Sequence, residues 1–310
     1  MSAERKAADS GQAPVRAGDT APYTAAMNNA LSTADGLKLH LREWPAANAR
    51  GTVLIVHGLG EHIGRYEQVA AHLNGWGWNA VGYDHRGHGR SEGARGRIHT
   101  SDALLNDLAQ VIDAVREDRP GPLVLLGHSM GGMVAARFVA EGLASPAPWH
   151  RPVDALVLSS PALDIGVGSL MKVVLRVLGS LAPNLGVSNG LKPEWISRDA
   201  KVVSAYVADP LVHDRISPRL VNFFIDSGAL TRERAALWHV PTLLIYAGSD
   251  RCVVPAGSRA FSAAAPKAVV TTREFGPLSH EIFNEPEQAE VFAVLGTWLQ
   301  GLRPVAEAKL

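Results

Sequence analysis

The stretch PLVLLGHSMGGMVAARFVAEG, residues 122–142, decides how this chain folds. Its first part, PLVLLG, is a short apolar run typical of a strand buried on both faces, and MVAARFVAEG has a helical pattern. Between them GHSMG (127–131) matches G-x-S-x-G, the pattern of a sharp turn from a strand into a helix. Glycines at 127 and 131 would avoid a Cβ clash where strand and helix come close. We therefore predict that Ser129 projects above a sheet edge as a nucleophile.

Strands and helices alternate on both sides of this turn. Further runs typical of strands lie at 37–44, 52–57, 78–84, 153–161, 241–248 and 267–275. Helical patterns lie at 65–73, at about 100–117, and from Asn284 to about Leu302. This alternation predicts the α/β class, with a mostly parallel central sheet and helices on both of its faces. We assign residues 31–160 and 239–310 to this core and residues 1–30 to a mobile N-terminal tail.

The alternation breaks between residues 161 and 238, where we predict a helical cap (lid) insertion without a clear strand. One segment, SLMKVVLRVLGSL (169–181), is polar on only a narrow face, and its other positions are nearly all Leu, Val or Met. Two interpretations stay open. The helix packs between the core and its neighbours, or part of its apolar surface lines an acyl pocket or touches lipid.

A serine nucleophile needs a base, and the base needs an acid to orient it. Active-site loops lie at the carboxyl ends of parallel strands. His280 lies in the loop between the last strand and the last helix, and Asp250 directly follows the strand 241–248. The other histidines after Ser129 lie before strands or inside the insertion. We therefore predict a triad of Ser129, Asp250 and His280.

Hydrolysis through a serine also needs two N–H donors for the negative oxygen that develops on the substrate. The amide of Met130, the residue after the nucleophile, is the first candidate. The second is the amide of Leu59, in the glycine-rich loop HGLGEH (57–62) after the strand 52–57. A polar loop that contains Asp84 and His88 is expected to support this region through hydrogen bonds rather than to hold a metal.

Composition excludes several classes of protein. The 310 residues include 30 Lys and Arg against 30 Asp and Glu, so a nucleic-acid partner is not expected. A single cysteine, Cys252, excludes an internal disulfide and a multi-cysteine metal site, and we expect no cofactor. Neither a secretory signal nor a membrane-spanning run is visible, which predicts a cytoplasmic protein.

Several motifs together resemble the monoacylglycerol lipases and the lysophospholipase-like branch of the α/β-hydrolase family. They are HGLGEHIGRYE (57–67), YDHRGHGRSEG (83–93), GHSMGG (127–132), ADPL (208–211), GSDRCV (248–253) and the final His280. The likeness runs from about Gly36 to Gly301 and implies the α/β-hydrolase fold.

By position, the resemblance implies the same triad and the same oxyanion amides as the residues themselves suggest. It further implies that Tyr206 is a substrate-binding tyrosine of the cap, near the glycerol end of the substrate, and that a lipophilic cap touches membranes without spanning them. The sequence departs from the family at Ser279, where an aromatic residue usually precedes the catalytic histidine.

Together these features predict a serine hydrolase that cleaves carboxylic esters, most closely a monoacylglycerol lipase or a lysophospholipase-like esterase acting on a small lipid ester. A short-chain carboxylesterase or a thioesterase would use the same machinery, and a carbon–carbon or perhydrolytic hydrolase would share the triad. A catalytically silent ligand-binding protein on this fold is the alternative from a different class.

Overall fold

The computed structural model describes residues 29–302, with a central sheet and a smaller one beside it. Residues 1–28 of the predicted mobile tail lie outside this described part, as do residues 303–310. In chain order the strands of residues 29–302 are β1 (Ala30–Ser32), β2 (Lys38–Trp44), β3 (Thr52–Val56), β4 (Asn79–Tyr83), β5 (Leu123–His128), β6 (Ala155–Ser159), β7 (Val187–Ser188), β8 (Arg215–Ile216), β9 (Thr242–Ala247) and β10 (Val270–Phe275).

Eight of these strands form the central sheet in the order β1-β2-β4-β3-β5-β6-β9-β10. β1 and β2 pair antiparallel, as do β2 and β4, and every other neighbouring pair is parallel. The predicted α/β class and all seven predicted strands are confirmed. Because β3, β5, β9 and β10 run parallel, their carboxyl ends meet at one edge of the sheet, where the predicted site residues follow them.

The helices cover both faces of the sheet. Within the described part of the chain they are α1 (Glu67–Gly75), α2 (Ala103–Asp118), α3 (Met130–Gly142), α4 (Ser169–Leu181), α5 (Ala200–Ala208), α6 (Pro218–Glu233), α7 (Pro255–Ala264) and α8 (Gln288–Gly301). Side chains of β3 alternate between two apolar cores, as strand geometry requires. Leu54 and Val56 pack with α2 and α3, while Val53 and Ile55 pack with α1 and α8.

The last helix begins later than the sequence predicts, at Gln288 instead of Asn284. Glu285 has extended backbone angles, and its buried carboxylate accepts hydrogen bonds from the Ser279 amide at 2.8 Å and from Arg198 Nε at 2.6 Å. These tertiary contacts override the local helical pattern. The helix α7 and the short strand β1 were not predicted at all.

The predicted cap range contains α4, α5 and α6, together with a small sheet that the sequence pattern does not indicate. Its strands β7 and β8 pair antiparallel over only two residues each. α6 packs against α3, and its Leu220 and Phe223 join the core beneath the sheet. The cap boundaries at 161 and 238 remain a prediction.

The helix α4 was expected, on one interpretation, to be packed between neighbours, and that interpretation is wrong. None of its residues is buried, and Leu170 and Leu181 are 80% and 79% exposed. α4 contacts the protein through polar groups, because Arg176 pairs with Asp226 of α6 and Asn222 Nδ2 donates to a main-chain oxygen of α4. In the described range, no helix is long and apolar enough to cross a bilayer.

Candidate active site

The backbone at Ser129 is strained in the way that its motif predicts. Ser129 has φ 53° and ψ −118°, a left-handed conformation that a side chain rarely adopts. A Cβ at 127 would lie 2.5 Å from the Gly131 carbonyl oxygen, and a Cβ at 131 would overlap the carbonyl oxygen of Val56. Both positions therefore require glycine. The turn is stabilised by the Ser129 amide, which donates to Ser159 O at 3.0 Å.

His280 and Asp250 form a hydrogen-bonded pair at the ends of β10 and β9. His280 Nδ1 lies 2.7 Å from Asp250 Oδ2. Asp250 Oδ1 accepts two main-chain hydrogen bonds, from Cys252 N at 2.8 Å and from Val253 N at 3.0 Å. Since an ionised carboxylate only accepts, Nδ1 carries the proton and Nε2 keeps its lone pair. The imidazole therefore has the tautomer of a general base.

The protonation of this pair follows from burial and mutual charge. Burial alone would lower the pKa of His280 and raise that of Asp250. The charge of each group and the hydrogen bond between them outweigh burial, so the pKa of His280 is raised and that of Asp250 is lowered. The neighbouring His128, whose ring centroid lies 4.7 Å from that of His280, stays neutral because burial and His280 lower its pKa to about 4.

One cavity of about 360 Å³ lies between the sheet edge and the cap, and Ser129 and His280 both line it. No hydrogen bond joins these two side chains within residues 29–302. Bonds of this kind are often long without substrate and tighten when it binds. The structure thus brings the three predicted residues to one end of the sheet, and their catalytic role remains a prediction.

The two predicted oxyanion amides, of Leu59 and Met130, are free. Neither donates to an acceptor in the part of the chain that the structure describes. The Leu59 loop is held from both sides, because the Gly58 amide donates to Glu61 Oε1 at 2.6 Å and the Gly60 carbonyl accepts from His213 N at 2.9 Å. Leu59 lines the cavity, and its role as a donor remains a prediction.

An ion network that the sequence analysis did not predict lies beside these loops. Arg65 Nη1 lies 2.7 Å from Glu61 Oε2 and 2.7 Å from Glu281 Oε1, and Nη2 lies 2.8 Å from Glu281 Oε2. Burial would raise the pKa of Glu61, but the charge of Arg65 outweighs it and the pKa is lowered. Arg65 therefore connects the Leu59 loop to the residue after His280. Glu61 lies inside HGLGEH and Glu281 directly follows His280, and these two positions are the only sequence signal for the network.

The cap is bound to the same network. The Glu281 amide donates to the carbonyl oxygen of Ile196, a buried cap residue, at 2.8 Å. Tyr206 of α5 lines the cavity, and the guanidinium of Arg65 lies 4.8 Å from the centroid of its ring. Burial and the charge of Glu61 raise the pKa of Tyr206, so its hydroxyl stays protonated. Its proposed contact with substrate is untested.

The loop after β4 supports the site as predicted. Asp84 accepts hydrogen bonds from the amides of Ile63 at 2.7 Å and Arg90 at 2.8 Å. The amide of His85 donates to His57 Nε2 at 2.9 Å, which ties the loop to the end of β3. In residues 29–302, no three metal-binding side chains converge in this loop.

Comparisons with known proteins extend over this whole arrangement. The family model described as serine aminopeptidase, S33 (Hydrolase_4), matches residues 47–287. A monoacylglycerol lipase of Mycolicibacterium smegmatis is 35% identical over 269 residues, which are 85% of this chain and 93% of that protein. A phospholipase of Bacillus subtilis is 31% identical over 254 residues, which are 80% of this chain and 95% of that protein. The crystal structure of a Paleococcus ferrophilus monoacylglycerol lipase has a TM-score of 0.74 and 35% identity, covering 84% of this chain and 98% of that chain.

Proposed function

The chain belongs to the serine aminopeptidase S33 family and to its monoacylglycerol lipase branch, and from this premise we propose that it hydrolyses monoacylglycerols through Ser129, Asp250 and His280. It is a serine ester hydrolase of the lipase type. The observation that carries the proposal is the hydrogen-bonded pair of His280 and Asp250, which lies at the same cavity as the strained Ser129.

The proposed reaction passes through an acyl-enzyme. His280 Nε2 takes the proton of Ser129 as its Oγ attacks the ester carbonyl, and Asp250 stabilises the imidazolium. The amides of Leu59 and Met130 donate to the oxyanion. The glycerol leaves with the proton held by His280, and His280 then deprotonates a water that releases the fatty acid from Ser129.

The cavity suits a substrate with one polar and one apolar end. The hydroxyl-bearing Tyr206 and the carboxylate of Glu281 line it, as do the apolar side chains of Leu191, Ile196 and Val207. Its volume of about 360 Å³ falls within the usual range of small-molecule sites. We propose that Tyr206 binds the glycerol end while the single acyl chain lies against the apolar side chains.

We also propose that α4 brings the enzyme to a lipid surface without crossing it. Its outward face is apolar, and the chain continues through the exposed Leu185 and Val187 to Leu191, which lines the cavity. Large apolar patches are rarely exposed on a soluble monomer, and a helix with one apolar face lies stably in the membrane interface. A cytoplasmic location remains a prediction from the sequence.

A chain-length series tests the substrate. Purified enzyme and Ser129→Ala are assayed on monoacylglycerols with long and short acyl chains, on lysophospholipids and on short soluble esters. We expect the wild type to prefer long-chain monoacylglycerols and the variant to cleave none. Efficient cleavage of short esters with rejection of long monoacylglycerols would contradict the proposal, and a preference for lysophospholipids would favour the lysophospholipase-like alternative.

Labelling with a fluorophosphonate separates an enzyme from a silent binding protein. The probe should label the wild type and spare Ser129→Ala. Equal labelling of both would place the nucleophile elsewhere.

Sedimentation with lipid vesicles tests the role of α4. The double variant Leu170→Ser and Leu181→Ser replaces its two most exposed apolar residues. We expect it to lose vesicle binding while it cleaves a soluble short-chain ester at the rate of the wild type. Unchanged vesicle binding would exclude α4 as the contact.

A further inference from the structure

Three side chains of different donor type converge beside the proposed nucleophile. One ligand atom each of Asp250, Cys252 and His280 lies within 4.8 Å of the other two, the only such group found in residues 29–302. We propose that they bind a thiophilic divalent cation, with Zn²⁺ as the expected ion, and that the bound ion reversibly inhibits the enzyme. The inhibition rests on the proposed function, whereas the binding does not.

The donor set is the one that zinc prefers. Thiolate, imidazole and carboxylate are its usual protein ligands, and three of them leave a fourth tetrahedral position for water. An ion can reach them because Cys252 and His280 line the open cavity. Since Asp250 and Cys252 lie on one turn held by main-chain hydrogen bonds, two of the ligands are positioned before the ion arrives.

The local charge favours a cation. Three carboxylates, of Asp250, Glu61 and Glu281, lie at this site, and in residues 29–302 only the last two are paired with a guanidinium, that of Arg65. The adjacent guanidinium of Arg251 instead lies over the ring of Trp195, 4.9 Å from its centroid.

The binding step explains the inhibition. The ion bonds to Cys252 Sγ, whose proton leaves to solvent, and to a carboxylate oxygen of Asp250. It also bonds to His280 Nδ1, which gives up its proton to solvent together with its hydrogen bond to Asp250, while Nε2 takes up a proton from solvent. The single proton of the neutral imidazole then resides on Nε2. In this tautomer His280 has no lone pair to accept the proton of Ser129, so acylation stops.

Cobalt is the spectroscopic probe for this site, because Co²⁺ replaces Zn²⁺ and its bond to a thiolate gives a charge-transfer absorption. We expect the full-length wild type to show this band and Cys252→Ser to lack it. Zn²⁺ added in a buffer that does not chelate metals should inhibit ester hydrolysis, and a chelator should restore the activity. Cys252→Ser should keep the basal activity, with its sensitivity to Zn²⁺ reduced roughly tenfold or more.

The variant Ser129→Ala separates this inference from the proposed function. It should still show the cobalt band, because Ser129 is not a ligand, whether or not it is the nucleophile. Absence of the band in the wild type would overturn the site, as would equal Zn²⁺ inhibition of wild type and Cys252→Ser. If the thiol is the ligand, Cys252→Ala, which leaves a smaller apolar side chain, must lack the cobalt band and lose sensitivity to Zn²⁺ as Cys252→Ser does.

Discussion

The sheet edge around Ser129 and the cap helix α4 each hold an arginine paired with carboxylates, and the two arginines differ in burial and in the number of carboxylates they contact. Arg65 is 12% exposed, and it contacts two carboxylates, Glu61 and Glu281, that are more buried than it is. Arg176 of α4 is 49% exposed and contacts the half-exposed Asp226. The charged groups at the sheet edge are buried against protein partners, whereas those of α4 remain exposed to solvent. We therefore expect substitutions at the edge to change chemistry and stability, and substitutions in α4 to change access to substrate.

The largest expected effect is at Asp250, the proposed acid of the triad. Asp250→Asn keeps the shape of the side chain but no longer holds the proton on His280 Nδ1. We expect kcat to fall by about 10⁴-fold for long and short esters alike. Steady-state kinetics on both substrates checks this, with circular dichroism to show an intact fold. A loss confined to long-chain substrates would place Asp250 in binding instead of catalysis.

The two arginines give a matched test of stability. Arg65→Met leaves two buried carboxylates without their partner, so the free energy of unfolding should fall by about 3–5 kcal/mol. Arg176→Met removes an exposed pair and should cost less than about 1 kcal/mol. Urea unfolding of both variants measures the difference. Equal effects would show that burial does not distinguish the two regions.

The pH dependence of kcat/KM in Arg65→Met and Arg176→Met gives a second comparison of the two regions. The proposed mechanism needs neutral His280, so we expect activity to fall as the pH drops below its pKa. Because that pKa is raised, the acid limb of kcat/KM should lie above the ordinary imidazole value of about 6.5. Arg65→Met adds uncompensated negative charge beside His280 and should move the limb to higher pH.

The matched control for this profile is Arg176→Met. It lies in the cap helix, outside the cavity lining, and should leave the limb of kcat/KM in place. A shift of the limb to lower pH in Arg65→Met would contradict the electrostatic account.

The smallest effect is expected on the outer face of α4. Val173→Ser changes a side chain that is 60% exposed, so the free energy of unfolding should stay within about 0.5 kcal/mol of the wild type. Thermal or urea unfolding without lipid checks this. A large loss would mean that the face is covered by protein in solution.

Features set by neighbouring residues or by the order of the strands were predictable, whereas individual side-chain contacts between distant loops were not. The turn at Ser129 needs glycine at fixed short spacings, so GHSMG contains its geometry. Arg65 and Glu281 lie 216 residues apart, and no local pattern indicates that they meet. The late start of α8 has the same origin, because Glu285 is held by Arg198 of the cap.

The orientation of α4 escaped prediction for another reason. Its pattern of polar and apolar residues is strong, but amphipathicity identifies two faces without telling which medium each one meets. The usual assumption that the apolar face is turned inward fails here, because polar groups of α4 contact α6. The strands β7 and β8 are too short, at two residues each, for any periodicity to appear.

The hydrogen bond from the Glu281 amide to Ile196 has a mechanical consequence. The roof of the cavity at residue 196 and the loop that carries the proposed base are hydrogen-bonded to each other, so a movement of residue 196 away from the sheet would displace the backbone next to His280. Deletion of this part of the cap would therefore not leave a simpler esterase with a more open cavity. It would remove the hydrogen bond that holds the loop of His280, and the imidazole would lose its alignment as well as its protection from solvent.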